Sequence, residues 1–154
     1  MAGARVRKLL AAVDFSAVSK AVVDQAASLA EAFSAELTLL HVAAPDPDFV
    51  GYEAGPQHVR DARAKDLRTE HRDIQELADG LRERSVSARA LMIQGPTIEK
   101  ILEEAEQLQA DTIVIGSHGH GALHRVLLGS VSEGVVRGAR CPVLVVPAAN
   151  EGDR

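Results

Sequence analysis

The stretch IVIGSHGHGALHRVLLGSVS, from Ile113 to Ser132, decides how this chain folds. The residues 112–115 are β-branched without a polar break, which is typical of a strand that is covered on both faces of a parallel sheet. A loop punctuated by glycines follows, and an apolar segment with helical spacing begins near Val131. A strand that runs through such a loop into a helix start has the backbone arrangement that holds phosphate.

The loop contains four glycines, which can adopt a positive φ angle or allow a ligand to approach the main chain. They are Gly116, Gly119, Gly121 and Gly129. Ser130 and Ser132 follow as candidate caps of a helix over 131–137, so that backbone N–H groups, two hydroxyls and a helix dipole would converge on one anion. The alternative is that these glycines only interrupt the chain, as loop glycines commonly do.

Length and composition limit the class of protein. The 154 residues, 46% of them hydrophobic, predict one domain over 1–154 with a core of about 6–147. The formal charge of −5 and the 3% of aromatic residues argue against a nucleic-acid surface. No apolar run is long enough to span a membrane, and no signal-peptide pattern is present, so a cytoplasmic protein is expected. The single cysteine, Cys141, is interpreted as a core thiol.

Hydrophobic periodicity predicts strands and helices that alternate along the chain. Strands are predicted over 6–13, 36–42, 86–93, 112–115 and 141–147, and helices over 19–33, 57–84, 98–109 and 131–138. The stretch 43–56 is interpreted as a loop and 148–154 as a frayed tail. This alternation indicates an α/β fold, an open five-stranded parallel sheet with helices on both faces, Rossmann-like. Ligands of such sheets bind at the carboxyl ends of the strands.

Two polar residues at strand positions have competing interpretations. Asp14 follows the first strand directly, where its carboxylate can either cap the next helix or contact a ligand. His41 lies within the second predicted strand, and a packed strand residue is favoured over a catalytic one.

The spacing Gly116-x2-Gly119-x9-Gly129-Ser130 resembles the G-2x-G-9x-G-(S/T) signature of the nucleotide-binding branch of the universal stress protein family. Further similarities are the opening 10–16, the second strand ending in LLHV at Val42, and the CPVLVVP segment from Cys141. The resemblance therefore covers nearly the whole chain. It implies the strand order 3-2-1-4-5, which would make the first and fourth strands neighbours.

The resemblance also implies which residues would bind an adenine nucleotide. The adenosine would contact Ala12, Val13 and Asp14, and the backbone of Val42 would pair with the adenine edge. The phosphates would be held by Gly116, Gly119, Gly129, Ser130, Val131 and Ser132. The cofactor implied is ATP, and a divalent ion, Mg²⁺ or Mn²⁺, could be shared between its phosphates and a carboxylate such as Asp14.

The residues permit binding more clearly than catalysis. Fast phosphoryl transfer needs placed positive charge, yet no lysine follows Lys100, and Arg125 is the one plausible nearby cation. His118, His120 and His124 suggest a metal cluster, but no fourth ligand is evident, so histidines that face solvent or the phosphates are favoured.

Three functions remain open at this stage. The first is a small ATP-binding stress protein that regulates through nucleotide-dependent conformation or partner choice, with at most slow hydrolysis. The second is an ATP-cleaving or adenylyl-transferring enzyme, and the third is a scaffold module without nucleotide. The resemblance also implies a homodimer through the apolar strand Val143–Val146, which would offer an unpaired edge if it lies at the margin of the sheet.

Overall fold

The computed structural model of the chain describes residues 5–45, 55–118 and 128–148. In these ranges, strands and helices alternate as predicted. The strands are β1 (Lys8–Ala12), β2 (Glu36–Ala43), β3 (Ala88–Gln94), β4 (Thr112–Gly116) and β5 (Val143–Val146). The helices are α1 (Ser19–Phe33), α2 (Gln57–Glu83), α3 (Thr97–Gln107) and α4 (Ser130–Gly138). The predicted α1 is confirmed to the residue, and the other predicted ends differ from these bounds by two residues at most.

The five strands form one parallel sheet in the order β3-β2-β1-β4-β5, which confirms the expected order. The central strand β1 pairs with β2 on one side, where Ala12 is opposite Leu40, and with β4 on the other, where Ala11 is opposite Val114. The chain winds outward from β1 in both directions. The carboxyl ends of β1 and β4 are therefore neighbours at the switch point, where doubly wound sheets bind ligands.

Two hydrophobic clusters cover the two faces of the sheet. One cluster joins β1, β2 and β4 to α1 and α2, with Val22 and Ile74 fully buried. The other joins the opposite face to α3 and α4, with Ile101 at 2% and Val135 at 0% exposure. Since side chains alternate between the faces of a strand, Leu39 packs in the first cluster and Leu40 in the second. Burial on both faces explains the unbroken apolar runs of the central strands.

Some predictions fall on parts of the chain outside the described residues. These are Gly119, Gly121, His120, His124 and Arg125, the tail 149–154 and residues 46–54 of the predicted loop. Of that loop, Ala43 belongs to β2 rather than to the loop. Among the described helices, none is long and apolar enough to cross a membrane.

Candidate functional site

A cavity of about 420 Å³ opens at the carboxyl edge of the sheet, between the ends of β1, β2 and β4. All of the predicted site residues except Gly119 line this cavity, and Gly119 lies outside the described residues. The lining residues among the predicted set are Ala12, Val13, Asp14, Val42, Gly116, Gly129, Ser130, Val131 and Ser132. The volume lies within the range of about 300 to 1,000 Å³ that is usual for small-molecule sites.

The N-terminus of α4 forms one wall of the cavity. Its first intrahelical hydrogen bond runs from the N–H of Glu133 to the carbonyl of Gly129, 2.9 Å apart. Helix geometry leaves the preceding N–H groups, those of Ser130, Val131 and Ser132, without an intrahelical acceptor. These three residues line the cavity, and no side chain among the described residues caps the helix. The arrangement suits an anion, since the N–H groups and the helix dipole present positive charge.

Ser117 fastens the start of α4 to the end of β4. Its carbonyl accepts hydrogen bonds from the N–H of Gly129 at 2.7 Å and from the hydroxyl of Ser132 at 2.8 Å. The Ser132 hydroxyl also donates to the Gly129 carbonyl at 3.0 Å, and Ser132 is 2% exposed. The prediction that Ser130 and Ser132 cap α4 is therefore wrong: Ser130 is the first helical residue, and the Ser132 hydroxyl is used as a donor to carbonyls. The hydrogen bonds to the Ser117 carbonyl therefore join the residues that precede 119–127 to those that follow.

Of the two roles that the sequence left open for the glycines, a positive φ angle and close approach to the main chain, Gly116 and Gly129 do not show the first. Gly129 has φ −62° and ψ 163°, and among the described glycines Gly95 alone has a positive φ. A Cβ on Gly116 would lie 2.6 Å from Cγ1 of Val18, and one on Gly129 would lie 3.2 Å from Cα of His118. A side chain at Gly116 would therefore force Val18 to shift, and one at Gly129 would require the backbone of His118 to give by a few tenths of an ångström.

Asp14 organises the turn between β1 and α1. Its Oδ1 accepts hydrogen bonds from the N–H of Ser16 and from the hydroxyl of Ser19, each at 2.9 Å. The N-cap of α1 is Val18, and no side-chain capping bond is present there among the described residues, so the capping interpretation of Asp14 is wrong. The carboxylate is instead exposed at the cavity wall, where it can contact a ligand.

The backbone of Val42 is directed toward the cavity by the register of the sheet. In β2 the even-numbered residues turn their backbone groups toward β1: the N–H of Glu36 donates to the Arg7 carbonyl, and the Leu40 carbonyl accepts from the N–H of Val13, both at 2.8 Å. Val42 has the same parity, but β1 ends at Ala12. Its N–H and carbonyl therefore lie beyond the paired region, at the cavity that Val42 lines.

Sequence reasoning did not identify several residues of the cavity wall. They are Val18, Ser19, Val22, Leu40, Thr97, Ile101, Ile115 and His118, the last of which was considered only as part of a histidine cluster. Most of them are apolar and read from sequence as ordinary core positions. The useful signal would have been their place along the chain, because the ends of parallel strands and the first turns of the following helices share one edge of the sheet.

The cavity wall carries little charge. In its described part the titratable side chains are those of Asp14 and His118, and Nδ1 of His118 lies 3.0 Å from the hydroxyl of Ser117. Within residues 5–45, 55–118 and 128–148, no three His, Cys, Asp or Glu residues are grouped so that they could hold a metal ion. The suggested cluster of three histidines depends on His120 and His124, which lie outside these ranges.

The fold and the cavity define a doubly wound α/β protein in which a helix N-terminus opens into a cavity at the switch point of its sheet. The model of the universal stress protein family matches residues 5–147 of the chain. The chain is 33% identical over 144 residues to the universal stress protein YxiE of Bacillus subtilis, an alignment that covers 90% of this chain and 97% of the relative. The chain therefore belongs to the universal stress protein family.

Two solved structures have the same fold. The universal stress protein UspA from Lactobacillus plantarum superimposes with a TM-score of 0.73 at 27% identity, covering 92% of this chain and 98% of that one. A universal stress protein in complex with cAMP superimposes with a TM-score of 0.66 at 22% identity, covering 94% and 99%. The second likeness is one of fold alone.

Proposed function

We propose that this universal stress protein binds ATP in the cavity at the switch point and acts through a conformation or a choice of partner that depends on the nucleotide, with at most slow hydrolysis. The observation that carries the proposal is the opening of the α4 N-terminus into the same cavity as Asp14 and Val42. One cavity thus offers a place for phosphate, for ribose and for the edge of a base.

The N–H groups of Ser130, Val131 and Ser132 support the binding of the phosphates at the start of α4. They precede the first intrahelical hydrogen bond of α4, so a phosphate oxygen would satisfy donors that the helix itself leaves unused. Ser130 is exposed, which leaves its hydroxyl accessible as a further donor. The signature glycines fit this role, because Gly116 and Gly129 keep the backbone close enough for the wall to form.

The backbone of Val42 and nearby apolar side chains support the binding of the adenine base. Leu40 and Ile101, which are 1% and 2% exposed, lie in the wall and would contact the faces of a planar ring. The backbone N–H and the carbonyl of one residue can pair with the donor and acceptor edge of adenine. A protein with this fold is solved in complex with cAMP, so the fold accommodates an adenine nucleotide in at least one relative.

Asp14 would lie near the ribose and is the one carboxylate of the described wall. Its Oδ1 is oriented by Ser16 and Ser19, which keeps the carboxylate in place without a ligand. This donor set fits Mg²⁺ or Mn²⁺ only as a partner of the phosphates, since Mg²⁺ is commonly held by one or two carboxylates, waters and phosphate oxygens. The ion would then neutralise phosphate charge. Such an ion would be useful here because no lysine or arginine is among the described residues that line the cavity.

We also propose that the chain forms a homodimer through β5. This strand is an edge strand of the sheet, and its residue Leu144 is 38% exposed. An apolar edge strand with unpaired backbone groups favours pairing with another chain. A second copy of the same strand meets this requirement by symmetry.

The experiment that tests nucleotide binding is the analysis of what the purified protein carries. The protein is denatured by heat, and released nucleotide is identified by ion-exchange chromatography and mass spectrometry. The Gly129→Leu variant is expected to carry none, because its side chain would collide with the backbone of His118. Gly80→Ala is the matched control, since a Cβ at Gly80 has no described neighbour within 4 Å.

The outcomes separate the three functions. ATP at about one molecule per chain in the wild type and in Gly80→Ala, but absent from Gly129→Leu, would support the proposal. Recovered ADP with fast turnover that is lost in Asp14→Asn would favour an enzyme instead. If added ATP with Mg²⁺ does not bind in calorimetry either, the scaffold function would replace the proposal.

A further inference from the structure

The buried histidine of β2 contacts the nucleotide cavity through another residue. His41 is 7% exposed, and its Nδ1 lies 2.7 Å from the carbonyl oxygen of Val13, which lines the cavity. On the other side of the ring, Nε2 lies 3.3 Å from Oε2 of Glu70 in α2. The ring of Phe15 packs on the imidazole with centroids 4.7 Å apart. Residues from two strand ends and a helix thus surround one side chain.

The hydrogen bond from His41 replaces a bond that the sheet would otherwise form. The N–H of Val13 donates to the Leu40 carbonyl at 2.8 Å, which is the last bond between β1 and β2. In a parallel ladder that continued by one more step, the Val13 carbonyl would accept from the N–H of Val42. The imidazole donates to this carbonyl instead, and it does so from the face of the sheet that carries Leu39 rather than Leu40.

We infer that His41 is a positioning residue of the nucleotide site: by holding the Val13 carbonyl, it leaves the backbone of Val42 directed into the cavity for the edge of a base. The inference rests on the proposed function, because it concerns how the same cavity presents its polar groups. His41 acts through Val13 and Val42 and requires no contact of its own with the nucleotide.

The conformation of the corner after β1 supports this role. Phe15 has φ 58°, in the left-handed region that a residue with a bulky side chain rarely adopts. Such a conformation persists only where surrounding contacts hold it, and the contact between the Phe15 and His41 rings is one of them. The strained residue follows Asp14 directly. His41 therefore holds both the carbonyl before Asp14 and the ring after it.

The hydrogen-bond partner of Nδ1 determines whether this nitrogen of His41 carries a hydrogen. A carbonyl oxygen only accepts hydrogen bonds, so Nδ1 carries a hydrogen in this arrangement. A long-range ¹H–¹⁵N spectrum of the ligand-free wild type, with the signals assigned through His41→Asn, tests this directly. A protonated Nδ1 is the expected result. An unprotonated Nδ1 would overturn the inference, and the spectrum that decides this is that of the wild type.

The second arm measures the affinity for ATP with Mg²⁺ by calorimetry, with the melting temperature recorded for each variant. His41→Leu is expected to raise Kd by roughly fivefold to tenfold, the size of one lost hydrogen bond. His41→Asn keeps a donor near the position of Nδ1 and should restore most of the affinity, which loss of fold stability alone would not produce. His71→Leu, at an exposed position of α2, is the matched control and should bind like the wild type.

The two proposals fail in different ways. If the wild type binds no ATP, the proposed function fails and this inference fails with it. If the wild type binds ATP and folded His41→Leu binds it equally well, the inference alone is overturned. If His41→Asn loses as much affinity as His41→Leu, the hydrogen bond to Val13 is not the cause, and the inference is overturned as well.

Discussion

Val18, at the start of α1, packs directly against the main chain of Gly116 at the end of β4. A Cβ on Gly116 would lie 2.6 Å from Cγ1 and 3.4 Å from Cγ2 of Val18, which is itself 5% exposed and cannot move aside freely. The contact brings α1 and β4 together at the cavity that both residues line. The first signature glycine therefore sets the distance between two walls of the proposed site.

Gly116→Ala should lower the free energy of unfolding by about 1 to 3 kcal/mol, the usual cost of overpacking, and should weaken ATP binding. Urea denaturation and calorimetry measure the two effects. In a Val18→Ala background the destabilisation should shrink, because the colliding methyl groups are absent. Gly80→Ala should instead stabilise α2 by about 0.5 to 1 kcal/mol. Equal effects of Gly116→Ala with and without Val18 would contradict the packing argument.

The two serines of α4 should respond differently to removal of their hydroxyls. Ser132→Ala removes the hydroxyl that the carbonyls of Ser117 and Gly129 share as a donor and should cost about 1 kcal/mol of stability. Ser130→Ala, at an exposed residue, should leave stability within about 0.5 kcal/mol but raise the Kd for ATP. Chemical denaturation and calorimetry on both variants separate these roles. Unchanged affinity in Ser130→Ala would remove its hydroxyl from the proposed phosphate site.

A charge on the exposed side of β5 should prevent the proposed dimer. Leu144 is the suitable position, because Val145 packs into the cluster beneath α3 and α4, so that a charge there would also disturb the core. Leu144→Lys should sediment as a monomer across a concentration series in which the wild type is a dimer, since charged edge strands resist pairing. An unchanged sedimentation coefficient would count against β5 as the interface.

The thiol of Cys141 should react slowly in the folded chain. Burial raises the pKa of Cys141, so the reactive thiolate forms at higher pH than it does in the unfolded chain. Alkylation by iodoacetamide, followed by mass spectrometry, should therefore begin at higher pH without urea than with it. The raised pKa contributes stability below the unfolded pKa of about 8.5, and this contribution is lost as pH rises through the folded pKa. Identical pH profiles of alkylation with and without urea would contradict a raised pKa of Cys141 in the folded chain.

The packing of α3 on α4 illustrates what a sequence pattern leaves undetermined. A Cβ on Gly134 would lie 2.5 Å from Cδ1 of Ile98, and one on Gly138 would lie 2.6 Å from Cδ1 of Leu102. Each helix has its own period, and the pairing of two glycines with two apolar residues of another helix depends on how the helices cross. The sequence contains these glycines at a spacing of four, but nothing local names their partners.

His41 illustrates the same point for the site. An apolar strand context predicted a packed histidine, and the buried ring confirms that prediction. Its partners, the carbonyl of Val13 and the carboxylate of Glu70, are 28 and 29 residues away along the chain. Only the register of β1 against β2 and the placement of α2 bring them within hydrogen-bond distance.

The sequence by itself determined the alternation of strands and helices, the parallel sheet and, by resemblance, the strand order. The alternation and the parallel sheet follow from hydrophobic period, which is a local property of the chain, whereas the strand order was implied only by the resemblance to the family. Tertiary structure decided the use of each group at the cavity: the Ser132 hydroxyl binds carbonyls, Asp14 holds a turn, and Gly116 makes room for Val18. Such roles depend on distances between segments that are far apart in sequence, and these distances exist only after the sheet has formed.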